Sequence, residues 1–356
     1  MTSCKHTQWL SLRRKAHQVT LDVSDRPSRL LHALESVDAP VGFLTLIGNQ
    51  TKSVVLSQFG VRCDGPLRRR HGEFHLHIAT NHLNKPLIIA DGDLPTHSRL
   101  PRVSKPHRCH EVSERPFINE TDDTVESAIS LADTVYNRTL LPFVDVQCLF
   151  VADIGGVDVT VRRLAAWVAV PVRPTTADIR PILVLVVTRG QAKKMKAALN
   201  SMPEFDKRKS ALGKHFRQVR IVVFHPVRRT NRKNGKQQRV LRRALLHSMN
   251  SAHRDRSRLG LLFSAFHTAH LLQDAADRAV ASPWASLDFL SMARKDNDVA
   301  ADMDTHLVNF LEQFRDNECL QRLAVPLIAS AILLDQYPPG MHRNYAFPHP
   351  SRMCQD

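Results

Sequence analysis

A doubly wound, mostly parallel α/β sheet with an appended C-terminal α-helical subdomain is the fold that the sequence predicts. Three observations predict it. Short apolar runs rich in Val, Ile and Leu recur from residue 40 to about 250 and are mostly continuous rather than alternating, as in strands buried on both faces. Helix-period segments lie between them, the rhythm of βαβ units. After residue 252 the strand signal disappears and only helical patterns remain.

Residues 1–38 are polar and basic and read as a flanking arm, loose or helical. The expected strands are GFLTLIG (42–48), EFHLHIAT (73–80), PLIIADG (86–92), VDVQCLFVADIGG (144–156), PILVLVVTRG (181–190) and QVRIVVFHP (218–226). The expected helices are Thr124–Leu141, Val159–Ala169, Gln191–Met202 and Gln237–Met249. Together they make an α/β domain over 39–250. Leu94–Glu120, rich in Pro, Arg and His, reads as a long surface loop. A helical subdomain follows over 251–340. Its first helix has Leu259, Leu262, Phe263, Phe266 and Ala269 at helical spacing, and Pro338-Pro339-Gly340 ends its last one. The tail 341–356 reads as disordered.

The chain has 356 residues, 43% of them hydrophobic, which supports a real core. Its formal net charge of +16 favours anionic partners. The six cysteines are scattered without a C-x-x-C, which argues against a disulfide framework or a zinc ribbon. The N-terminus lacks the apolar core of a signal peptide, and no apolar run reaches the length of a spanning helix. A cytoplasmic protein is expected, with the basic run 228–243 as a route to the nucleus.

The stretch LIGNQTKS (46–53) carries the most specific signal. A strand, a glycine and Lys-Ser opening a helix is how a phosphate-binding P-loop begins, but that loop needs G-x-x-x-x-G-K-[ST]. Here two residues are missing, and Thr51 stands where the second glycine belongs. In such a site Gly48, Asn49, Gln50 and Thr51 would turn backbone N–H groups toward phosphate, Lys52 would neutralise it, and Ser53 would hold Mg²⁺. Asp91 and Asp93, at the tip of the run PLIIADGD, occupy the position of a Mg²⁺-linked carboxylate. The strand end Thr188-Arg189-Gly190-Gln191 stands where a GTPase carries [NT]-K-x-D, without the aspartate that reads guanine.

The segments FLTLIGNQTKSVVLSQF, KPLIIADGDLP, LPFVDVQCLFVADIGGVDVTVRRLAAW and LIASAILLDQYPPGMH resemble the P-loop GTPase-like module of large filamentous-fungal proteins, where it often precedes a patatin-like phospholipase domain. The likeness covers roughly residues 40–342. It implies a P-loop NTPase-like fold, bound GTP or ATP, and Mg²⁺ held through Ser53 and Asp91. The chain departs from the module's pattern at the shortened loop, and it has no G-x-S-x-G nucleophile elbow, so lipid hydrolysis is not implied.

Other features are weaker. Asp153, beside Gly155-Gly156, falls at a carboxyl strand edge where ligands bind, but reads more simply as part of a loop leading into a helix with Asp158 near its N-cap. His107, Cys109 and His110 resemble half a metal site without a second half. His267 and His270 share a helix face and read as buried packing residues. Arg68–Arg70, Arg102 and Arg108 are available cations, but no residue stands out as a water activator. The function expected is a degenerate P-loop nucleotide-binding or regulatory protein with weak NTP hydrolysis at most. The alternatives are a non-catalytic pseudo-GTPase module that binds a protein partner, and a basic nucleic-acid-binding protein.

Overall fold

The strands are β1 (Gln8–Lys15), β2 (Gln18–Ser24), β3 (Gly42–Ile47), β4 (Glu73–Thr80), β5 (Pro86–Gly92), β6 (Val112–Pro116), β7 (Val146–Phe150), β8 (Ile182–Val187) and β9 (Gln218–Val223). They form one sheet in the order β6-β2-β1-β4-β5-β3-β7-β8-β9. This computed structural model describes residues 6–15, 18–61, 72–80, 85–94, 112–117, 133, 137, 139–169, 180–201, 211–224, 232–259, 262–282, 287, 292, 302–314 and 316–335. Each apolar run expected as a strand contributes one.

The sheet is mixed, which corrects the expectation of a mostly parallel, doubly wound sheet. Four neighbouring pairs (β5–β3, β3–β7, β7–β8, β8–β9) are parallel, and four (β4–β5, β1–β4, β1–β2, β2–β6) are antiparallel. The physical reason is connection length. A parallel crossover needs a dozen or more residues, whereas only 81–85 separate β4 from β5 and only 16–17 separate β1 from β2. Both links therefore close as hairpins. β4 is covered on both faces although it runs antiparallel, so burial on both faces does not mark a parallel strand here.

Residues 1–38 likewise do not form a loose arm or helix alone. β1 and β2 lie inside the sheet, with Trp9, Leu10, Leu12, Leu21 and Val23 buried. The basic Arg13 belongs to this hairpin: its Nε lies 2.8 Å from Asp22 Oδ2 and donates to Ser11 Oγ at 3.3 Å. A charge that reads as solvated in sequence is thus an internal strand-to-strand pair.

The helices of the first unit are α1 (Arg26–Leu31), α2 (Gln50–Gln58), α3 (Gly156–Ala169), α4 (Arg189–Ser201), α5 (Ala211–His215), α6 (Arg232–Arg258) and α7 (Ala265–Ala281). One sheet face presents Leu44, Leu46, Leu87, Ile89, Val146, Cys148, Val184 and Val186, at the period of two that a strand imposes. Val55, Leu56 and Phe59 of α2 and Leu241, Leu245 and Met249 of α6 cover it. Each such side chain contributes about 1.5–3 kcal/mol on burial.

The chain divides into two compact units, Met1–Leu287 and Asp288–Asp356. The expected boundary at 250/251 falls inside α6. α7 belongs to the first unit, where Ser264 bridges to Pro40 and caps the helix by accepting from the His267 N–H at 3.2 Å. His267 is half-buried and His270 exposed, which corrects their reading as buried packing residues. The second unit contains α8 (Met303–Leu311), a helical turn at Asn317–Cys319, a π turn at Leu320–Ala324 and α9 (Val325–Asp335). No helix among the described residues is long and apolar enough to cross a membrane. Most of the Leu94–Glu120 loop, Arg68–Arg70, most of Thr124–Leu141, the start of the 228–243 run and the tail 341–356 lie outside the described residues.

One buried pair gives the first unit a pH dependence. Asp133 Oδ1 accepts from Arg163 of α3 at 3.0 Å, and burial, partly offset by Arg163, raises the Asp133 carboxyl from 3.8 to about 6. The folded state thus holds this proton more tightly than the unfolded chain. The resulting stability is fully present below 3.8 and is lost as pH rises to about 6. Urea denaturation of wild type and Asp133→Asn at pH 4 and pH 7 measures it. The stability of wild type relative to the variant should fall by up to about 3 kcal/mol between the two; a constant difference contradicts the assignment.

Candidate functional site

The carboxyl ends of β5, β3 and β7 lie side by side and bring the sequence-predicted residues together. β3 is the strand from which the parallel order departs in both directions, the place where open α/β sheets leave a crevice. Gly48 follows β3, and its N–H donates to Gly92 O at 3.1 Å. A Cβ on Gly48 would come within 2.7 Å of Phe150 Cβ and 3.0 Å of Asp153 Oδ2, so only glycine lets the turn lie this close to the end of β7.

α2 begins immediately after this turn, with Asn49 at its N-cap. The amides that would face a phosphate here already have an anion. The Asn49 and Thr51 N–H groups both donate to Asp153 Oδ2, at 2.8 and 2.9 Å, and Thr51 Oγ1 donates to Asp153 Oδ1 at 2.8 Å. A carboxylate at a helix N-terminus with three donors satisfies both the open amides and the helix dipole. Asp153 is aimed by its own turn: its N–H bonds Phe150 O at 2.9 Å, and Gly155 and Gly156 adopt φ +101° and +87° before α3 begins. Those angles suit glycine and strain other residues.

Lys52 does not face the loop. It is 1% exposed, with Nζ 2.5 Å from Asp91 Oδ1 and donating to Gly92 O at 2.7 Å. Asp91 is fully buried, and its other oxygen lies 3.5 Å from His77 Nε2 on the antiparallel neighbour β4. Ser53 is half-buried on α2, and Asp93 is buried just past β5, its carbonyl accepting from the Gly72 N–H. Gln50 opens α2. The residues do not fit the Mg²⁺ expected through Ser53 and Asp91, because Asp91 Oδ1 is held by the Lys52 ammonium and Oδ2 lies against the His77 ring. Among the described residues no cluster of three His, Cys, Asp or Glu could hold a metal ion. His107, Cys109 and His110 lie outside them.

The neighbouring strand end is used structurally as well. Gln191 Oε1 accepts from the Thr188 N–H at 3.1 Å and from Thr188 Oγ1 at 3.2 Å, at the start of α4. This is one arm of a capping box, T-x-x-Q, and its spacing is visible in the sequence. The partnership of Asp153 with the turn was not visible, since 102 residues separate it from Thr51. His77 gave no signal either, because its neighbours read only as a strand.

No family model matches the chain, and no curated protein matches it.

This arrangement makes Lys52 a structural residue. Lys52→Met should destabilise the protein by about 3–5 kcal/mol, since Asp91 would keep an uncompensated buried charge. Adding Asp91→Asn should restore part of the loss. Urea denaturation of both variants reads it; a Lys52→Met protein as stable as wild type would contradict the buried pair.

Proposed function

We propose that this chain is a non-catalytic interaction module whose phosphate-loop position is filled from within. The observation that carries the reading is Asp153. Its carboxylate takes the N–H groups of Asn49 and Thr51 and the Thr51 hydroxyl, the donors that a phosphate would need. A phosphate entering there would have to displace that carboxylate or meet its charge, and like charges in close contact repel strongly. Lys52, committed to Asp91 and Gly92, adds no compensating cation. Neither tight nucleotide binding nor hydrolysis follows from such a loop. With a formal charge of +16, the natural partner is a protein with an acidic surface, met in the cytoplasm.

The runner-up is weak GTP or ATP binding. It is favoured by one fact: the turn still gathers two amides and a hydroxyl around a single anionic group. Calorimetric titration with Mg²⁺–ATP and Mg²⁺–GTP separates the two. The module reading expects no binding tighter than about 1 mM, equivalent to about −4 kcal/mol. Binding in the micromolar range by wild type overturns it, and a gain of affinity in Asp153→Ala identifies the carboxylate as the barrier.

A further inference from the structure

The opposite edge of the same strands carries a second constellation. The amino ends of β3, β5 and β7 are marked by Gly42, Lys85 and Asp145. The last two turns of α6 cross this edge, and a cavity of about 430 Å³ opens between them. Gly42 and Met249 give it an apolar wall. Asn250, Arg254 and Arg258 recur at a spacing of four and, with His253 and Ser257, form one polar helix stripe facing the cavity.

Asp145 is the cavity's one carboxylate among the described residues, and it is engaged elsewhere. Its Oδ2 accepts from the Phe43 N–H at 2.9 Å, and its Oδ1 lies 3.5 Å from Arg256 Nε. Arg256 is itself held by the carbonyls of Phe143 and Val144, both at 3.1 Å. Arg254 and Arg258 meet no carboxylate within ion-pair distance among the described residues, and the Lys85 ammonium lies 3.5 Å from His253 Nε2. Burial, opposed by Asp145 and assisted by Lys85 and Arg256, holds the His253 pKa below its ordinary value.

We propose that this cavity binds a small phosphate monoester that also carries a hydroxyl group. Lys85, Arg254 and Arg258 would take the dianion at the mouth, where two guanidinium groups suit the phosphate geometry. Asn250 and Ser257, on the same helix stripe, would meet the hydroxyl. The volume lies in the range of small-molecule sites, about 300–1,000 Å³. The cavity lies at the edge of the sheet away from Asp153, so the inference does not depend on the loop reading.

Calorimetry of the full chain with ribose 5-phosphate and glycerol 3-phosphate, with glycerol and sulfate as controls, tests it. At least one phosphate ester should bind in the range of about 10 μM to 1 mM, and glycerol should not. The double variant Arg254→Ala/Arg258→Ala should weaken binding at least about tenfold while its thermal unfolding stays close to wild type. Asp153→Asn should leave the affinity unchanged. The proposal is overturned by absence of binding at millimolar ester, by equal binding of sulfate, by indifference to the double variant, or by a poly-glutamate peptide binding the same residues more tightly than either ester.

Discussion

The buried pair between Lys52 and Asp91 is the constraint on which the carboxyl edge of the sheet depends. Taking two charges out of water is expensive, and their attraction repays it only where geometry is good and further hydrogen bonds complete the shell. The carbonyl of Gly92 accepts a further hydrogen bond from Lys52, and the ring of His77 lies 3.5 Å from the second Asp91 oxygen. Because Lys52 must reach β5, the first turn of α2 is pinned against the sheet. The turn Gly48–Thr51 is therefore pulled tight over the end of β3. Its amides then point to the neighbouring strand end, where Asp153 receives them.

Asp145 and Arg256 do comparable work at the amino edge. Burial raises the Asp145 carboxyl, with Arg256 and the Phe43 amide pulling it back, so it too sits in a balance of desolvation against pairing. Arg256 binds three successive carbonyls of the segment leading into β7 and thereby fixes α6 across the strand starts. The parallel half of the sheet is thus fastened at both ends by a basic side chain from a helix and an acidic one from a strand terminus. The antiparallel half is fastened differently, by the Arg13–Asp22 pair inside its hairpin.

This division explains what the sequence disclosed. Strands β3, β5, β7 and β8 are legible because their apolar runs are continuous, and two covered faces demand that. β1 and β2 are not, because Ser11, Arg13, Thr20 and Asp22 are buried polar residues, with Arg13 paired to Asp22 across the hairpin, and such pairing cannot be seen in one dimension. Between β4 and β5 strand direction was legible after all, in the shortness of the link at 81–85, a stronger signal than burial pattern. At the candidate site, position in the chain pointed to Gly48, Lys52 and Asp91, and contacts join Lys52 to Asp91 and Gly48 to Gly92. What such residues do is not legible in one dimension, because a lysine after a strand-end turn has two uses, toward a ligand or toward the core. Only the depth of Asp91 decides between them.

The tight turn and the inward lysine form one physical solution. The amides of Asn49 and Thr51 converge on a single oxygen, which Asp153 on the adjacent strand end provides. The helix dipole is thereby met by a residue of the chain itself, and Lys52 stabilises the interior. On the function proposed above, such a site exchanges binding for rigidity. The chain's large positive charge remains available elsewhere, and the strand-start edge, where cations line a cavity whose one described carboxylate is already engaged, is the place at which it can still be put to use.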